Sequence, residues 1–328
     1  MKFITMNSKV VKRFVGLFGL LISIGIVWFI IEKYDVESSW QIVKGTPFSF
    51  LIIMVLIYLS TFLFRVLRWK LMLLNFHDLG FMLLLKSIIL GFAGNNIIPA
   101  RGGEFLRMEY FSRRTKISRT TSLTSIGLEK ILDAIVLLSF LLIASIFVTK
   151  TNEYFIYIIQ LVSLIFFPII LFLIVLKIKG KQIIKWLGLR NGRLTQFLSK
   201  HFVNFHAALS FLKADINTLK ILGVSVLIWL LEGFVFVLGM KAIGLNDSVF
   251  LMGIIALCIV NFGILIPSSP GYIGIFQAAI IIVLSSFGIS ETNSLAAAII
   301  IHSCQFFPVT IFGIYLIIKY LISRNYGK

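Results

Sequence analysis

Apolar runs long enough to cross a bilayer recur along the whole chain, at residues 14–31, 48–64, 81–98, 131–148, 154–176, 221–240, 249–266, 272–287 and 295–318. A helix needs about 20 residues to cross a hydrocarbon core of about 30 Å, and most of these runs approach that length. Short polar stretches separate them. One longer polar segment, residues 177–220, breaks the rhythm, and its stretch 194–212 carries Leu194, Phe197, Leu198, Phe202, Phe205, Leu209 and Leu212 at three- and four-residue spacing. That spacing predicts an amphipathic helix lying on a membrane surface. The pattern as a whole predicts an all-α polytopic membrane protein forming a single domain.

Composition agrees, and charge orients the chain. The 328 residues are 59% hydrophobic and 13% charged, with a mean hydropathy of +1.02. The net charge of +18 does not point to nucleic acid, because it is unevenly placed. Of 31 Lys and Arg, only Lys33, Lys44, Lys150 and Lys241 fall in loops assigned to the outside; the others lie in or beside segments assigned to the inside. Lysine and arginine are retained on the cytoplasmic side, so both termini are expected there, in a plasma membrane whose anionic lipids add attraction. Lys2, Lys9, Lys12 and Arg13 precede the first run, and no small-x-small cleavage site follows it. This reads as a retained first helix and not a signal peptide. Cys258 and Cys304 lie in apolar runs without CxxC or metal-ligand spacing and read as free buried thiols. His201 and His206, five apart, suit no metal pair. No metal or cofactor is expected.

The same counting shows where the chain turns back. Residues 32–47 hold Glu32, Asp35 and Glu37 against two lysines and face outside, and Arg65, Arg68 and Lys70 bring the chain back inside. After run 81–98, the segment 101–119 carries six basic residues, Arg101, Arg107, Arg113, Arg114, Lys116 and Arg119. Both flanks of that run therefore face the inside, and it must enter and turn back. Residues 248–290 carry no formal charge, yet the chain must be outside again by Glu291 if run 295–318 is to deliver Lys319, Arg324 and Lys328 inside. A second hairpin thus enters from the outside. The expected architecture is six full spans plus two broken or re-entrant hairpins, with residues 151–328 repeating residues 1–150 upside down. Inverted-topology repeats are a recurring plan of transporters, and their interrupted helices mark the binding site near the midplane.

The two interruptions are "NNIIPARGGE" at 95–104 and "NFGILIPSSPGYIG" at 261–274. Each proline ends a helix, each glycine permits positive φ, and the amides of a new helix start suit an anion. Arg101 adds a bidentate donor for phosphate, with Glu104 orienting it. The competing reading pairs Arg101 with Glu104 at the hairpin tip. Asn95, Asn96 and Arg107 near the first break, and Asn261, Ser268, Ser269, Gly271 and Gln277 near the second, complete the candidate lining. Ionisable residues inside spans are costly and are candidate sites by default. Glu129 and Asp133, four apart, share one helix face, with Lys130 on another. They serve a substrate, or else meet Arg101, Arg107 or Lys86. Glu232 lies mid-span in "LIWLLEGFVFVLG", where it is paired, protonated or coupled to protons. His302 and Gln305 in the last span line a cavity or hydrogen-bond between helices.

These residues also carry a resemblance. The string Asn96-x-x-Pro99-Ala100-Arg101-Gly102-Gly103-Glu104-x-x-Arg107 is followed by "SLTSIGLEKILD" from Ser122 to Asp133. Then comes Pro267-Ser268-Ser269-Pro270-Gly271-x-x-Gly274-x-Phe276-Gln277-Ala278. Together, in order and spacing, they resemble the lysylphosphatidylglycerol synthase transmembrane (flippase-like) family, which includes the membrane half of the multiple peptide resistance factor. The resemblance spans essentially the whole chain. It implies movement between leaflets of a phosphate-bearing lipid, either an aminoacylated phosphatidylglycerol or a polyprenyl-phosphate glycolipid. Gln277 departs from the acidic residue expected in many relatives. The soluble acyltransferase domain that charges the lipid is expected to be missing, because the longest extramembrane stretch is the 44 residues 177–220. Two other classes stay open. One is a lipid-modifying transferase, lysyl or glycosyl; the other is a membrane partner for a separate lipid synthase or glycosyltransferase. No DxD, P-loop, HExxH or GxSxG motif supports the transferase, and no residue is assigned as catalytic.

Overall fold

The computed structural model describes residues 8–74, 79–98, 101–148, 153–189, 192, 195, 203, 215–265 and 269–326. Among these the regular structure is all helical: α1 Ser8–Lys33, α2 Val36–Lys44, α3 Phe48–Met72, α4 Phe81–Ile97, α5 Gly103–Ser112, α6 Arg119–Ile146 and α7 Glu153–Gly188. There follow α8 Ile216–Ala242, α9 Val249–Gly263, a 3-10 turn Pro270–Tyr272, α10 Ile275–Ser286 and α11 Glu291–Tyr326. Several starts are fixed by side chains that accept an amide the first turn leaves unpaired. Asp35 accepts from the Ser38 N–H at 2.9 Å, Ser118 from Thr121 at 3.1 Å and Asp215 from Thr218 at 3.0 Å.

By length and composition α3, α8 and the Glu291–Tyr320 part of α11 are fit to cross a membrane, whereas α4, α9 and Pro270–Ser286 are shorter apolar helices. The expected fourth crossing, α6, has 28 residues but carries Glu129, Lys130 and Asp133 in its interior. Segment 177–220 is not a loop from its start, because α7 runs on to Gly188. There Leu187 is buried and Ile183 packs against Leu128, Leu132 and Ile221, so apolar contacts keep helical a stretch whose lysines read as a loop. The polar stretch 32–47 contains a short helix, α2, whose Ser39 is fully buried. The amphipathic helix expected over 194–212, with His201 and His206, lies outside the described residues except for Thr195 and Val203.

Helix α3 packs along α8, and two helical hairpins, α4–α5 and α9–α10, close on that pair together with α11. Small residues set the first hairpin. A Cβ on Gly103 would lie 2.0 Å from the Gly91 carbonyl oxygen and 2.4 Å from the Asn95 nitrogen, so the backbones of α4 and α5 touch where no side chain fits. Helix α11 docks on α4 in the same way, with Gly313 against the Ala93 Cβ. Beyond the tip, Glu109 ties the α5–α6 corner by accepting from Arg119 Nε at 2.6 Å and Arg113 Nε at 2.5 Å. These hydrogen bonds, Arg119's first, hold its carboxyl down at about 2 against an ordinary 4.5.

Two outcomes follow. Gly103→Ala should lower the melting temperature in detergent, at a cost of about 1–3 kcal/mol or more for a contact with no room to relax. Gly127→Ala, with nothing within 4 Å of its Cβ, should leave it unchanged or raise it. Because the Glu109 value is depressed, its contribution is complete above the ordinary 4.5 and is lost as pH falls toward 2. Amide protection at the α5–α6 corner should therefore be flat between about pH 5 and 8 and fall in acid. In Glu109→Gln it should be low throughout.

Candidate functional site

The tips of the two hairpins meet. Where they do, a cavity of about 120 Å³ is lined by Asn95, Asn96 and Arg101 of the first break and by Asn261, Ile264 and Tyr272 of the second. Tyr58 and Arg65 of α3, Lys130 and Asp133 of α6, Trp229 and Glu232 of α8, and His302, Gln305 and Phe306 of α11 complete the wall with Phe92, Val260 and Phe276. At roughly 10–15 Å³ per water-sized sphere, the space suits a phosphate-sized group with a few waters and excludes acyl chains.

Beneath the cavity three arginines meet three carboxylates. Arg65 Nη2 pairs with Glu232 Oε1. Arg68 Nη1 donates to Asp133 Oδ1 at 2.6 Å, and its Nη2 lies 3.3 Å from Glu129 Oε1. Arg107 reaches the same Glu129 through both terminal nitrogens, at 3.1 and 2.9 Å. All six residues are at most 6% exposed. Neutral partners finish the shell: Trp229 Nε1 donates to Asp133 at 2.9 Å, and Ser225 Oγ accepts from Arg68 at 3.2 Å. The Arg107 guanidinium lies 4.0 Å from the Trp69 ring centre and that of Arg65 4.8 Å from Phe92, adding cation–π attraction where desolvation is complete. Charges this deep are tolerable only as matched sets, because one ion without its partner carries a penalty of several kcal/mol.

The second break is locked by polar contacts. The Gly274 N–H donates to Gln277 Oε1 at 2.8 Å, which leaves the Gln277 amide nitrogen facing His302 Nδ1 at 3.0 Å. An amide nitrogen can only donate, so Nδ1 accepts and the His302 proton sits on Nε2. The His302 ring stacks on Phe276 at 4.3 Å and engages the backbone of Gly271. The Ser269 N–H donates to Ser23 Oγ of α1 at 2.8 Å. In the first break Asn96 Nδ2 donates to Thr310 Oγ1 at 2.7 Å.

A family model described as the lysylphosphatidylglycerol synthase TM region matches residues 16–313. The chain belongs to that family. It is also 26% identical over 237 residues to a UPF0104 membrane protein of Methanocaldococcus jannaschii, an alignment covering 71% of this chain and 96% of that one.

Seven sequence candidates line the cavity: Asn95, Asn96, Arg101, Asp133, Glu232, Asn261 and His302. Glu104, Arg107, Glu129, Ser269, Gly271 and Gln277 do not line it, and Ser268 lies outside the described residues. Arg107 and Glu129 are spent on each other. No ion pair within 4.0 Å joins Arg101 to Glu104, so the tip pair expected for Glu104 is not formed. Three residues escaped the sequence reading. Arg65 and Arg68 were counted as charges at the end of a span but are buried partners, and Lys130, placed on a different face, is on the cavity wall with Asp133. The signal that could have found the arginines is a balance: Glu129, Asp133 and Glu232 need three buried cations, and Arg107 supplies one.

Arg68→Met should strand Asp133 and cost about 3–5 kcal/mol, read as a steep fall in thermal midpoint in detergent. Adding Asp133→Leu should recover part of that loss.

Proposed function

We propose that this protein translocates a phosphate-bearing lipid across the plasma membrane, holding the headgroup phosphate in the cavity between the hairpin tips. One observation carries the reading. Arg101 and Lys130 line the cavity, and among the described residues neither has a carboxylate within 4.0 Å, whereas the neighbouring Arg65 is paired with Glu232. Two cations left over on a polar wall suit a dianionic or monoanionic phosphate, and a guanidinium can bind it through two parallel hydrogen bonds. Arg101 Nε and Asn95 Oδ1 are buried there without hydrogen-bond partners among the described residues, which leaves donor and acceptor capacity for a ligand.

The acyl chains stay in lipid. An apolar groove of about 360 Å³ between α3, α4 and α11, lined by Leu59, Phe62, Leu63, Leu85, Ile89 and Phe312, runs beside the cavity. Phe62 of the groove and Phe92 of the cavity are in ring contact at 5.2 Å, which supports a reading with tails in the groove and headgroup in the cavity. The reading includes six spans formed by α1, α3, α6, α7, α8 and α11, two hairpins entering from opposite leaflets, an inverted repeat and cytoplasmic termini. Backbone breaks at membrane depth are tolerated where they line a wet cavity, and residues of both breaks lining one cavity support this reading. The lipid is an aminoacylated phosphatidylglycerol or a polyprenyl-phosphate glycolipid. The family's description as part of a synthase favours one second reading, a membrane partner to a synthase or glycosyltransferase on another chain.

Native mass spectrometry of copurified lipids, together with dithionite quenching of a fluorescent short-chain phospholipid in proteoliposomes, tests the proposal. Arg101→Ala and Lys130→Ala should each lower selective lipid retention and translocation about tenfold or more, at unchanged melting temperature. Bulk lipid composition in wild type, or translocation surviving in both variants, would contradict it and leave the partner reading in front.

A further inference from the structure

A phosphate accounts for only part of the cavity wall. Arg101 and Lys130 supply cations, and a phosphodiester accepts hydrogen bonds without donating any. The wall also holds an acceptor that such a group leaves unmet. Asn95 Oδ1 is buried there with no hydrogen-bond partner among the described residues. Asn96 and Asn261 present a similar need. Each commits its Nδ2 to the protein, donating to Thr310 Oγ1 at 2.7 Å and to the Leu257 carbonyl at 2.9 Å, and neither Oδ1 accepts a hydrogen bond among the described residues. A buried acceptor without a donor costs free energy, so the group that completes this wall carries O–H or N–H as well as phosphate.

Charge decides between a hydroxyl and an ammonium. The two carboxylates on the wall, Asp133 and Glu232, are already held by Arg68 and Arg65. Glu104, the remaining carboxylate of the first tip, does not line the cavity. Arg101 and Lys130 therefore leave the wall with an excess of positive charge, part of which a phosphodiester takes up. An ammonium on the same headgroup would enter beside these cations with no carboxylate on the wall left to receive it, a like-charge arrangement that low-dielectric surroundings make severe. A hydroxyl carries no such penalty, and it both donates to an amide oxygen and accepts from a neighbouring donor. Tyr58, Trp229, Phe276 and Phe306 line the same wall with rings, which offer apolar surface to the carbon atoms that bear the hydroxyls.

We propose that the cavity selects a monoanionic phosphodiester whose outer substituent is an uncharged polyol, glycerol or a sugar, with Asn95 accepting from one of its hydroxyls, and that it rejects a headgroup bearing an ammonium. The proposal rests on the phosphate reading of the cavity. Of the lipids named above it retains the glycolipid, admits phosphatidylglycerol itself and sets aside the aminoacyl ester.

The test uses the full chain in detergent, with separate titrants in calorimetry: dihexanoyl phosphatidylglycerol, dihexanoyl phosphatidylmethanol, the lysyl ester of the first, and glycerophosphoglycerol, which is the same headgroup without acyl chains. Phosphatidylglycerol and phosphatidylmethanol carry the same charge and differ in hydroxyls, so the first should bind about tenfold tighter. The lysyl ester should bind at least about tenfold more weakly than phosphatidylglycerol. Asn95→Leu should abolish the preference for phosphatidylglycerol over phosphatidylmethanol. That preference with glycerophosphoglycerol left unbound assigns the site to a lipid headgroup, and with glycerophosphoglycerol bound equally well it assigns the site to a polyol phosphate from either source. Equal binding of phosphatidylglycerol and phosphatidylmethanol, a lysyl ester bound as tightly as phosphatidylglycerol, or a preference unchanged in Asn95→Leu overturns the proposal, while the phosphate reading stands provided Arg101→Ala loses the titrants. No binding of any titrant to wild type, or undiminished binding to Arg101→Ala, overturns both. Should Asn95→Leu fail to fold, the wild-type order of affinities decides: phosphatidylglycerol first supports the proposal, and any other order overturns it.

Discussion

A charge buried in an apolar bundle must bring its partner with it, and this structure is arranged around that requirement. Arg65, Arg68 and Arg107 come from α3 and α5, and Glu129, Asp133 and Glu232 from α6 and α8. Each pair therefore crosses from one helix to another. Arg68 bridges two carboxylates on α6, while Arg107 fastens the short returning arm of the first hairpin to the same helix. Replacing such a set by apolar residues can be neutral or stabilising, so stability alone does not explain its presence. What the set does is fix where α3, α5, α6 and α8 sit relative to one another, and thereby the floor of the cavity.

The second constraint is the backbone. A helix broken inside an apolar body leaves amides and carbonyls that lipid cannot satisfy. Here both breaks turn toward one another, and their polar groups find side chains such as Gln277 and Ser23. The close approach of α4 to α5 depends on Gly94 and Gly103, which admit no Cβ, and on Gly91, where one would press on the Arg107 side chain at 3.1 Å. Tight glycine crossings carry the first tip, hydrogen bonds carry the second, and the polar cavity between them is what the two solutions share.

Much of this was legible in the sequence, for identifiable reasons. The breaks at 95–104 and 261–274 stand out because Asn, Pro and Gly interrupt long apolar runs, and Glu129, Asp133 and Glu232 stand out because carboxylates are rare there. Their partners were not legible. Arg65 and Arg68 lie near the end of a run, where charge counting expects cytoplasmic residues, and nothing local separates a snorkelling arginine from a buried one. Lys130 was misplaced because a four-residue spacing gives Glu129 and Asp133 a common face. In the bundle, α6 is wedged between neighbours, so Glu129 serves Arg107 on one side while Lys130 and Asp133 reach the cavity on the other. The length of α7 was hidden by Lys177, Lys179, Lys181 and Lys185, whose charges resemble a loop but sit on a helix anchored by Ile183 and Leu187.

The central claim is that a lipid phosphate sits against Arg101. Solid-state NMR dephasing between lipid 31P and 15N-labelled arginine side chains, in wild type and Arg101→Lys in the same bilayer, measures that contact directly. The account predicts a strong short-range signal in wild type that disappears in Arg101→Lys. An equal signal in both proteins would assign it to surface arginines and contradict the account.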